Sequence, residues 1–259
     1  MDILDTIIEQ KKSTLPLLKG LIPPIVLEKF PFFNRTCVSL ADRLRAGSST
    51  GIITEFKRKS PSKGIINDTA IVEEVTRDYE HFGAAAISIL TDDYFFGGSA
   101  EDLMAARDTV EIPLLRKDFI IDEYQLLEAK AIGADIVLLI AACLTPPEVK
   151  MLAASAKSLG LEVLLELHDE NELEHICADT ELIGINNRSL KTFEVNLDRS
   201  LQMAAKIPAG KLKIAESGIT DVAQINLFKQ HGFSGFLMGE NFMKTANPGD
   251  AFRQFVSKL

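Results

Sequence analysis

Short apolar, β-branched runs recur along the chain at 51–56, 86–90, 112–116, 135–140, 162–166, 182–185, 212–215 and 235–238. Between most of them lies a segment with apolar residues at helical spacing: Ile71 to Phe82, Glu123 to Ile132, Pro146 to Leu159 and Val222 to Gln230. The pattern predicts strands alternating with helices. Gly83, Gly133, Gly160 and Gly232 follow four of these helices, where a left-handed C-terminal cap favours glycine. The run from Gly133 to Ile140 shows the joint, a helix stop and then a strand apolar on both faces. Such strands belong to parallel sheets covered by helices on each side. Eight of them alternating with helices predict an α/β fold, a closed (β/α)8 barrel in preference to an open doubly wound sheet.

Residues 1–47 stand outside the repeat. Met1 to Lys12 predicts an amphipathic helix with Ile3, Leu4, Ile7 and Ile8 on one side. Ile22-Pro23-Pro24-Ile25 and Phe30-Pro31-Phe32-Phe33 interrupt regular structure, and Val38 to Ala46 predicts a second helix. The expectation is an N-terminal helical extension lying across one mouth of the barrel. The 259 residues suit one barrel, so a single domain over 1–259 is expected.

Composition narrows the classes of function. A hydrophobic content of 46% allows a sizeable core, and a net charge of −9 argues against nucleic-acid binding, which calls for a basic face. An anionic small ligand stays open, because local positive charge can hold it on an acidic protein. Cys37, Cys143 and Cys177 are odd in number and far apart, so they read as reduced packing thiols and not as a disulfide framework or zinc site. No apolar run reaches the roughly 18 residues of a membrane span. The start Met1-Asp2-Ile3-Leu4-Asp5 lacks the basic and apolar parts of a secretory signal, so a cytoplasmic protein is expected.

The chemistry gathers where the strands end. Barrel active sites lie at the C-terminal ends of the strands. Glu55 and Lys57 share parity with Ile53, Lys117 with Leu115, and Glu166 with Leu164, so all four face inward with their apolar neighbours. Asn186-Asn187-Arg188 follows the sixth run, Glu216-Ser217-Gly218 the seventh and Gly239 the eighth. Six of the eight ends carry a charged or amide side chain, which a shared site explains better than six separate solvent contacts. A partly desolvated lysine and glutamate can give and take protons near neutral pH. Ser60-Pro61-Ser62-Lys63-Gly64 offers hydroxyls, backbone N–H groups and positive charge, which suits a phosphate. The seventh and eighth loops are the usual phosphate-holding loops of such barrels. Phe96 and Phe119 are candidates for the floor of an apolar pocket. Asp92 and Asp93 read as solvated loop charges, and His168 as a residue that shapes its loop. His81, His175 and His231 lie in or beside helical segments, and no cluster has metal-ligand spacing.

These motifs resemble the indole-3-glycerol-phosphate synthases. The resemblance rests on Glu-x-Lys-Arg-x-Ser-Pro-Ser at 55–62, Leu-Thr-Asp at 90–92, Phe-x-Gly-Ser at 96–99 and Leu-Arg-Lys-Asp-Phe at 115–119. Glu166, Ile-Asn-Asn-Arg at 185–188 and Ala-Glu-Ser-Gly-Ile at 215–219 complete it, in order over almost the whole chain. It implies a TIM barrel that converts 1-(o-carboxyphenylamino)-1-deoxyribulose 5-phosphate to indole-3-glycerol phosphate, with loss of carbon dioxide and water, in tryptophan biosynthesis. By position it implies that Lys117 is the general acid and Glu166 its partner for proton removal and dehydration. Lys57, held by Glu55, would contact the substrate carboxylate or act as a second acid. Asn186, Arg188, Glu216 and Ser217 would orient the substrate. Ser60, Gly218 and Gly239 would hold the phosphate, and Phe96, Phe119 and Leu138 would line the aromatic-ring pocket. No metal and no organic cofactor is implied, since the cyclised iminium nitrogen can accept the electrons of decarboxylation. A monomer is expected, with transient contact with other tryptophan-pathway enzymes left open, and neither nucleic acid nor membrane as partner. Two departures stand out: Ser189 where the family commonly has Asp, and Asn241 where it commonly has Ser. The rival readings are a sugar-phosphate isomerase, an aldolase using Lys117 as a Schiff base, and a non-catalytic phosphate-binding protein.

Overall fold

The computed structural model describes residues 3–188 and 194–259, so Ser189 lies outside the described residues. Eight parallel strands close into a barrel. They are β1 (Ile52–Phe56), β2 (Ala86–Leu90), β3 (Leu114–Lys117) and β4 (Ile136–Ile140), then β5 (Glu162–Leu167), β6 (Leu182–Asn186), β7 (Leu212–Glu216) and β8 (Phe233–Met238). Each pairs with its chain neighbour, and β1 closes the ring on β8 with Ile52 opposite Phe236. All eight coincide with the apolar runs to within a few residues. Gly83, Gly133, Gly160 and Gly232 all take positive φ (76° to 96°), as their helix-ending positions require.

Strand parity sorts the side chains into two cores. Ile53, Leu115, Leu138, Leu164, Ile214 and Leu237 belong to a cluster that fills the barrel. The alternate positions Ile52, Leu114, Val137, Val163, Ile183 and Phe236 belong to a larger cluster between sheet and helices. Each such side chain contributes about 1.5–3 kcal/mol when taken fully out of water. The same parity places Glu55, Lys117, Glu166, Asn186 and Glu216 above the apolar layer, at the C-terminal mouth.

The helices in chain order begin with α1 (Ile3–Leu21), α2 (Pro24–Leu27) and α3 (Leu40–Ala46). The barrel then adds α4 (Val72–His81), α5 (Asp93–Phe96), α6 (Ala100–Thr109), α7 (Glu123–Ala131) and α8 (Pro146–Ser158). It ends with α9 (Leu197–Ala204), α10 (Val222–Gln230), α11 (Glu240–Met243) and α12 (Pro248–Val256). Between β5 and β6 the repeat carries only a 3₁₀ segment, Glu170–His175. No helix among the described residues is long and apolar enough to cross a membrane.

The extension differs from its expectation in length and in reach. Helix α1 continues past Lys12 and through Pro16 to Leu21. Lys12 and Pro16 are both exposed, so the carbonyl deprived of its N–H partner faces solvent and the proline is tolerated. The extension also serves both mouths, not one. Ile3, Leu4 and Ile7 of α1 border the cavity at the C-terminal mouth. Leu40, Ala41 and Leu44 of α3 instead join the interior cluster from the opposite end. There the backbone N–H groups of Leu40 and Ala41 donate to the Glu162 carboxylate at the start of β5, at 2.9 and 3.3 Å. The linking segment is tied down on the way. Arg35 Nη2 and the Val38 N–H donate to Asp135 Oδ1 at 2.6 and 2.7 Å.

Candidate active site

A cavity of about 260 Å³ opens at the C-terminal mouth. Its border includes Glu55, Lys57, Ser60, Phe96, Lys117, Phe119, Arg188, Glu216, Ser217, Gly218 and Gly239. Eleven of the fourteen residues singled out from the sequence therefore meet on one cavity. Glu166 and Asn186 are buried directly behind it. Lys117 Nζ lies 3.5 Å from Glu166 Oε2, and Asn186 Nδ2 donates to Glu166 Oε1 at 3.1 Å. Leu138 alone falls in the interior cluster below the cavity, 2% exposed and away from its border.

Lys117 is the hub. Its ammonium sits 3.5 Å from Glu166 and 3.6 Å from Glu216. Lys57 and Glu55 form a second, adjacent ion pair. Burial pushes the Lys117 ammonium down, but the carboxylates of Glu166, Glu216 and Glu55 outweigh it and hold the pKa above the ordinary lysine value. For Glu166, burial pushes upward, yet Lys117, His168 and Asn186 hold the carboxyl well below the usual range. Glu216 goes the other way. Burial, and then repulsion from the Glu166 carboxylate, raise it well above the ordinary value. The surroundings thus favour the ammonium of Lys117 and push the two carboxyls apart, Glu166 toward its ionised form and Glu216 toward its protonated form.

Space for this cluster depends on two glycines. A Cβ at Gly184 on β6 would collide with Glu216 Oε1, and a Cβ at Gly239 would come within 2.6 Å of both Cβ and Oε1 of Glu55. The backbone around the seventh strand end is itself constrained. Ser217 takes φ +64°, the one non-glycine residue in the left-handed region among the described residues. Non-glycine backbone held there costs of order 1–3 kcal/mol and clusters at functional sites. Asn187 Nδ2 donates to the Ser217 carbonyl at 2.7 Å and helps hold that turn.

Asn241 braces the cavity wall. Its Nδ2 donates to the Ile219 carbonyl at 2.9 Å, tying the loop after β8 to the loop after β7. The shorter hydroxyl of serine cannot span the same gap from the same backbone. Asn241→Ala should lose about 1 kcal/mol of loop tethering. The expected result is a KM several-fold higher with kcat nearly unchanged, read by steady-state kinetics.

Several contacts differ from, or lie beyond, the sequence reading. Asp92 is not a solvated loop charge: it is buried, accepts the Phe95 N–H at 2.8 Å and pairs with Lys11 Nζ at 2.9 Å. Asp93 does stay exposed. Lys11 also meets Asp118 Oδ1 at 2.7 Å, which latches α1 over the cavity beside Lys117. Burial would raise the Asp118 carboxyl, but Arg116 and Lys11 bring it down to about 2. Lys11→Ala removes one charge-assisted bond of about 2 kcal/mol to each carboxylate. It should raise KM by about tenfold or more as α1 loosens, with kcat changed little; an unchanged KM would show that the latch does not set the cavity wall. His168 does more than shape its loop, since its Nε2 lies 3.0 Å from Glu166 Oε1. Phe96 and Phe119 lie with ring centroids 6.0 Å apart, both bordering the cavity. Among the described residues no group of three or more His, Cys, Asp or Glu is placed to hold a metal ion.

Taken together, the barrel, the ammonium between carboxylates and the loop-lined cavity above it define an acid–base enzyme of the (β/α)8-barrel class. The family model for indole-3-glycerol phosphate synthase matches residues 4–255. The chain is 46% identical over 259 residues to the indole-3-glycerol phosphate synthase of Bacteroides thetaiotaomicron, covering 100% of this chain and 99% of that one. It is 42% identical over 257 residues to that of a Polaromonas species, covering 98% and 97%. The chain belongs to the indole-3-glycerol phosphate synthase family. Two solved structures share the fold at 14% identity and a TM-score of 0.58. They are KGPDC from Streptococcus mutans, covering 80% of this chain and 97% of that one, and thiamine phosphate pyrophosphorylase from Pyrococcus furiosus, covering 80% and 95%.

Proposed function

We propose that Lys117 and Glu166 carry the proton transfers of the family's reaction in this chain. The enzyme is a carboxy-lyase of tryptophan biosynthesis acting on a phosphorylated small molecule. It closes the ring of 1-(o-carboxyphenylamino)-1-deoxyribulose 5-phosphate, then removes carbon dioxide and water to give indole-3-glycerol phosphate. The observation that carries the assignment of roles is the position of Lys117 Nζ, 3.5 Å from Glu166 and 3.6 Å from Glu216 at the wall of the cavity.

The steps follow from charge. The aromatic carbon bearing the carboxylate attacks the ketone, and negative charge develops on the ketone oxygen. The Lys117 ammonium, held protonated, meets that charge and donates the proton. Carbon dioxide then leaves, and its bonding electrons neutralise the iminium nitrogen. The new hydroxyl departs as water on a second proton, while Glu166 removes the proton whose loss completes the indole. Asn186 holds the far oxygen of Glu166 during this step. Lys57, kept in place by Glu55, faces the substrate carboxylate. Ser60, Gly218 and Gly239 supply the phosphate end, where the glycines let backbone N–H groups come close to the anion. Arg188 and Ser217 orient the sugar chain, Glu216 stands as a neutral acid beside Lys117, and Phe96 and Phe119 stack against the aromatic ring. Leu138 supports that ring pocket from below.

The test is to incubate the pure protein with the carboxyphenylamino deoxyribulose phosphate and follow indole absorbance. Product must form, and no appearance of indole would sink the assignment. We also propose that residues 1–259 act as one domain in a cytoplasmic monomer, with only transient contacts to other enzymes of the pathway. Light scattering that reads a dimer at working concentration would remove the monomer.

A further inference from the structure

Of Asn186-Asn187-Arg188 at the end of β6, Asn187 has no task in the steps above. Strand parity turns it away from the barrel interior, and it is fully buried. Both its backbone and its side chain reach the start of the loop after β7. The Asn187 N–H donates to the Glu216 carbonyl at 2.8 Å, and Nδ2 donates to the Ser217 carbonyl at 2.7 Å. Its own carbonyl accepts the Asn196 N–H at 2.9 Å, which brings the returning part of its loop alongside the same turn.

The turn under this clamp holds two left-handed residues in succession, Ser217 at φ +64° and Gly218 at φ +71°. Glycine takes that conformation freely. A Cβ on Gly218 would also lie 2.3 Å from Val195 Cγ1, so glycine is what fits there. Serine at 217 pays for the same conformation and needs a contact that holds it. Past the turn, the N–H groups of Gly218 and Ile219 meet no acceptor among the described residues, and both residues border the cavity. Successive N–H groups in a turn of this kind form a concavity suited to an anion. The direction of the first of them is set by Asn187. The Ser217 carbonyl and the Gly218 N–H share one rigid trans peptide plane and point opposite ways. An amide that captures the carbonyl from behind therefore aims the N–H away from itself, and Asn187 does not border the cavity while Gly218 does.

We propose that Asn187 is a positioning residue for the phosphate end of the substrate: its amide locks Ser217 in the left-handed conformation that presents the Gly218 and Ile219 N–H groups to the anion. The inference rests on the reading of Gly218 as part of the phosphate end, and it adds Ile219 as a second backbone donor there. Asn187 does not touch the substrate. It acts through the Ser217 peptide, and its loss should show in binding of the anion before it shows in the chemistry.

Steady-state kinetics with inorganic phosphate as competitive inhibitor test the brace on Asn187→Ala, Ser217→Gly and the double variant. Asn187→Ala should raise the inhibition constant of phosphate about fivefold, the weight of one intramolecular hydrogen bond, with KM rising in step and kcat within twofold. Glycine at 217 takes the left-handed conformation without strain. Asn187→Ala made in the Ser217→Gly background should therefore change the phosphate constant by less than twofold relative to Ser217→Gly. A phosphate constant for Asn187→Ala within twofold of the parent would overturn the proposal. So would an equal loss in both backgrounds, since the amide would then hold something other than the serine. A tenfold or larger fall in kcat with the phosphate constant unchanged would place Asn187 with the acid–base pair, again against the proposal. If Asn187→Ala does not fold, thermal unfolding of the double variant decides: a folded double variant supports the brace, and an unfolded one means that Asn187 holds the barrel and not the turn. A parent enzyme that phosphate does not inhibit competitively would sink the reading of the phosphate end and the brace with it. A parent that is so inhibited, beside an unaffected Asn187→Ala, would sink the brace and leave that reading standing.

Discussion

Lys117→Ala is expected to lower kcat by about 10²–10⁴-fold, the range of a lost general acid, or about 3–5.5 kcal/mol of transition-state stabilisation. The loss should fall on kcat and kcat/KM alike, because the ammonium meets a charge that exists only in the transition state. Inorganic phosphate should still inhibit with nearly the parental constant, since Ser60, Gly218 and Gly239 border the cavity independently of Lys117. The substitution has a further electrostatic consequence. Glu166 is kept ionised mainly by Lys117, against the pull of burial. Without the ammonium, the upward push of burial on the Glu166 carboxyl loses its main opponent, and Glu166 should hold its proton more tightly. The variant should therefore lose its base together with its acid, and external amines should rescue it only weakly. A Lys117→Ala enzyme that turns over at even a tenth of the parental rate would defeat the role assigned to this lysine.

The parts of this site that the sequence made legible are those governed by strand parity. Glu55, Lys117 and Glu166 each sit two residues beyond an apolar inward-facing residue, and period-two alternation fixes their direction without any knowledge of neighbours. The barrel was legible for the same reason, because each βα joint carries its own local signal of glycine and apolar run. What stayed hidden depends on contacts between distant segments. Asp92 looked like a loop charge because its partner, Lys11, lies on α1 and comes from the far end of the chain. The N-terminal extension reaches the opposite mouth because Arg35 and Val38 find Asp135, about a hundred residues away in sequence. Glu216 and Glu55 depend on empty space at Gly184 and Gly239, and no local pattern distinguishes a glycine that turns the chain from one that yields room. His168 shares parity with Glu166, which was a signal in plain view, but only the 3.0 Å separation turns it into a partner.

Asp135 governs the opposite end of the barrel, where its loss should damage stability and leave the chemistry untouched. It is fully buried just ahead of β4. Its Oδ1 accepts from Arg35 Nη2 at 2.6 Å and from the Val38 N–H at 2.7 Å. Its Oδ2 accepts from Arg107 Nη1 at 2.9 Å and from the Leu114 N–H at 2.8 Å. Burial pulls the Arg107 pKa below the ordinary arginine value even with Asp135 beside it, so the guanidinium depends on this carboxylate to remain inside. Asp135→Ala would leave a buried cation without its counter-charge and two backbone donors without acceptors. Removing one partner of a buried pair costs about 3–5 kcal/mol. At about 2–4 °C per kcal/mol for a chain of this size, the melting temperature should fall by about 10 °C or more. Asp135→Asn keeps the volume but turns one acceptor oxygen into an NH₂ donor facing either Arg107 or Arg35, so most of the loss should persist. Both variants should keep parental kcat and KM at temperatures where they remain folded, because the N-terminal mouth is a stability face in barrels of this class. Thermal unfolding followed by circular dichroism, with kinetics on the same samples, separates the two effects. A melting temperature within 2–3 °C of the parent, roughly 1 kcal/mol, would mean that Arg35 and Arg107 find other acceptors and that Asp135 does not anchor the extension.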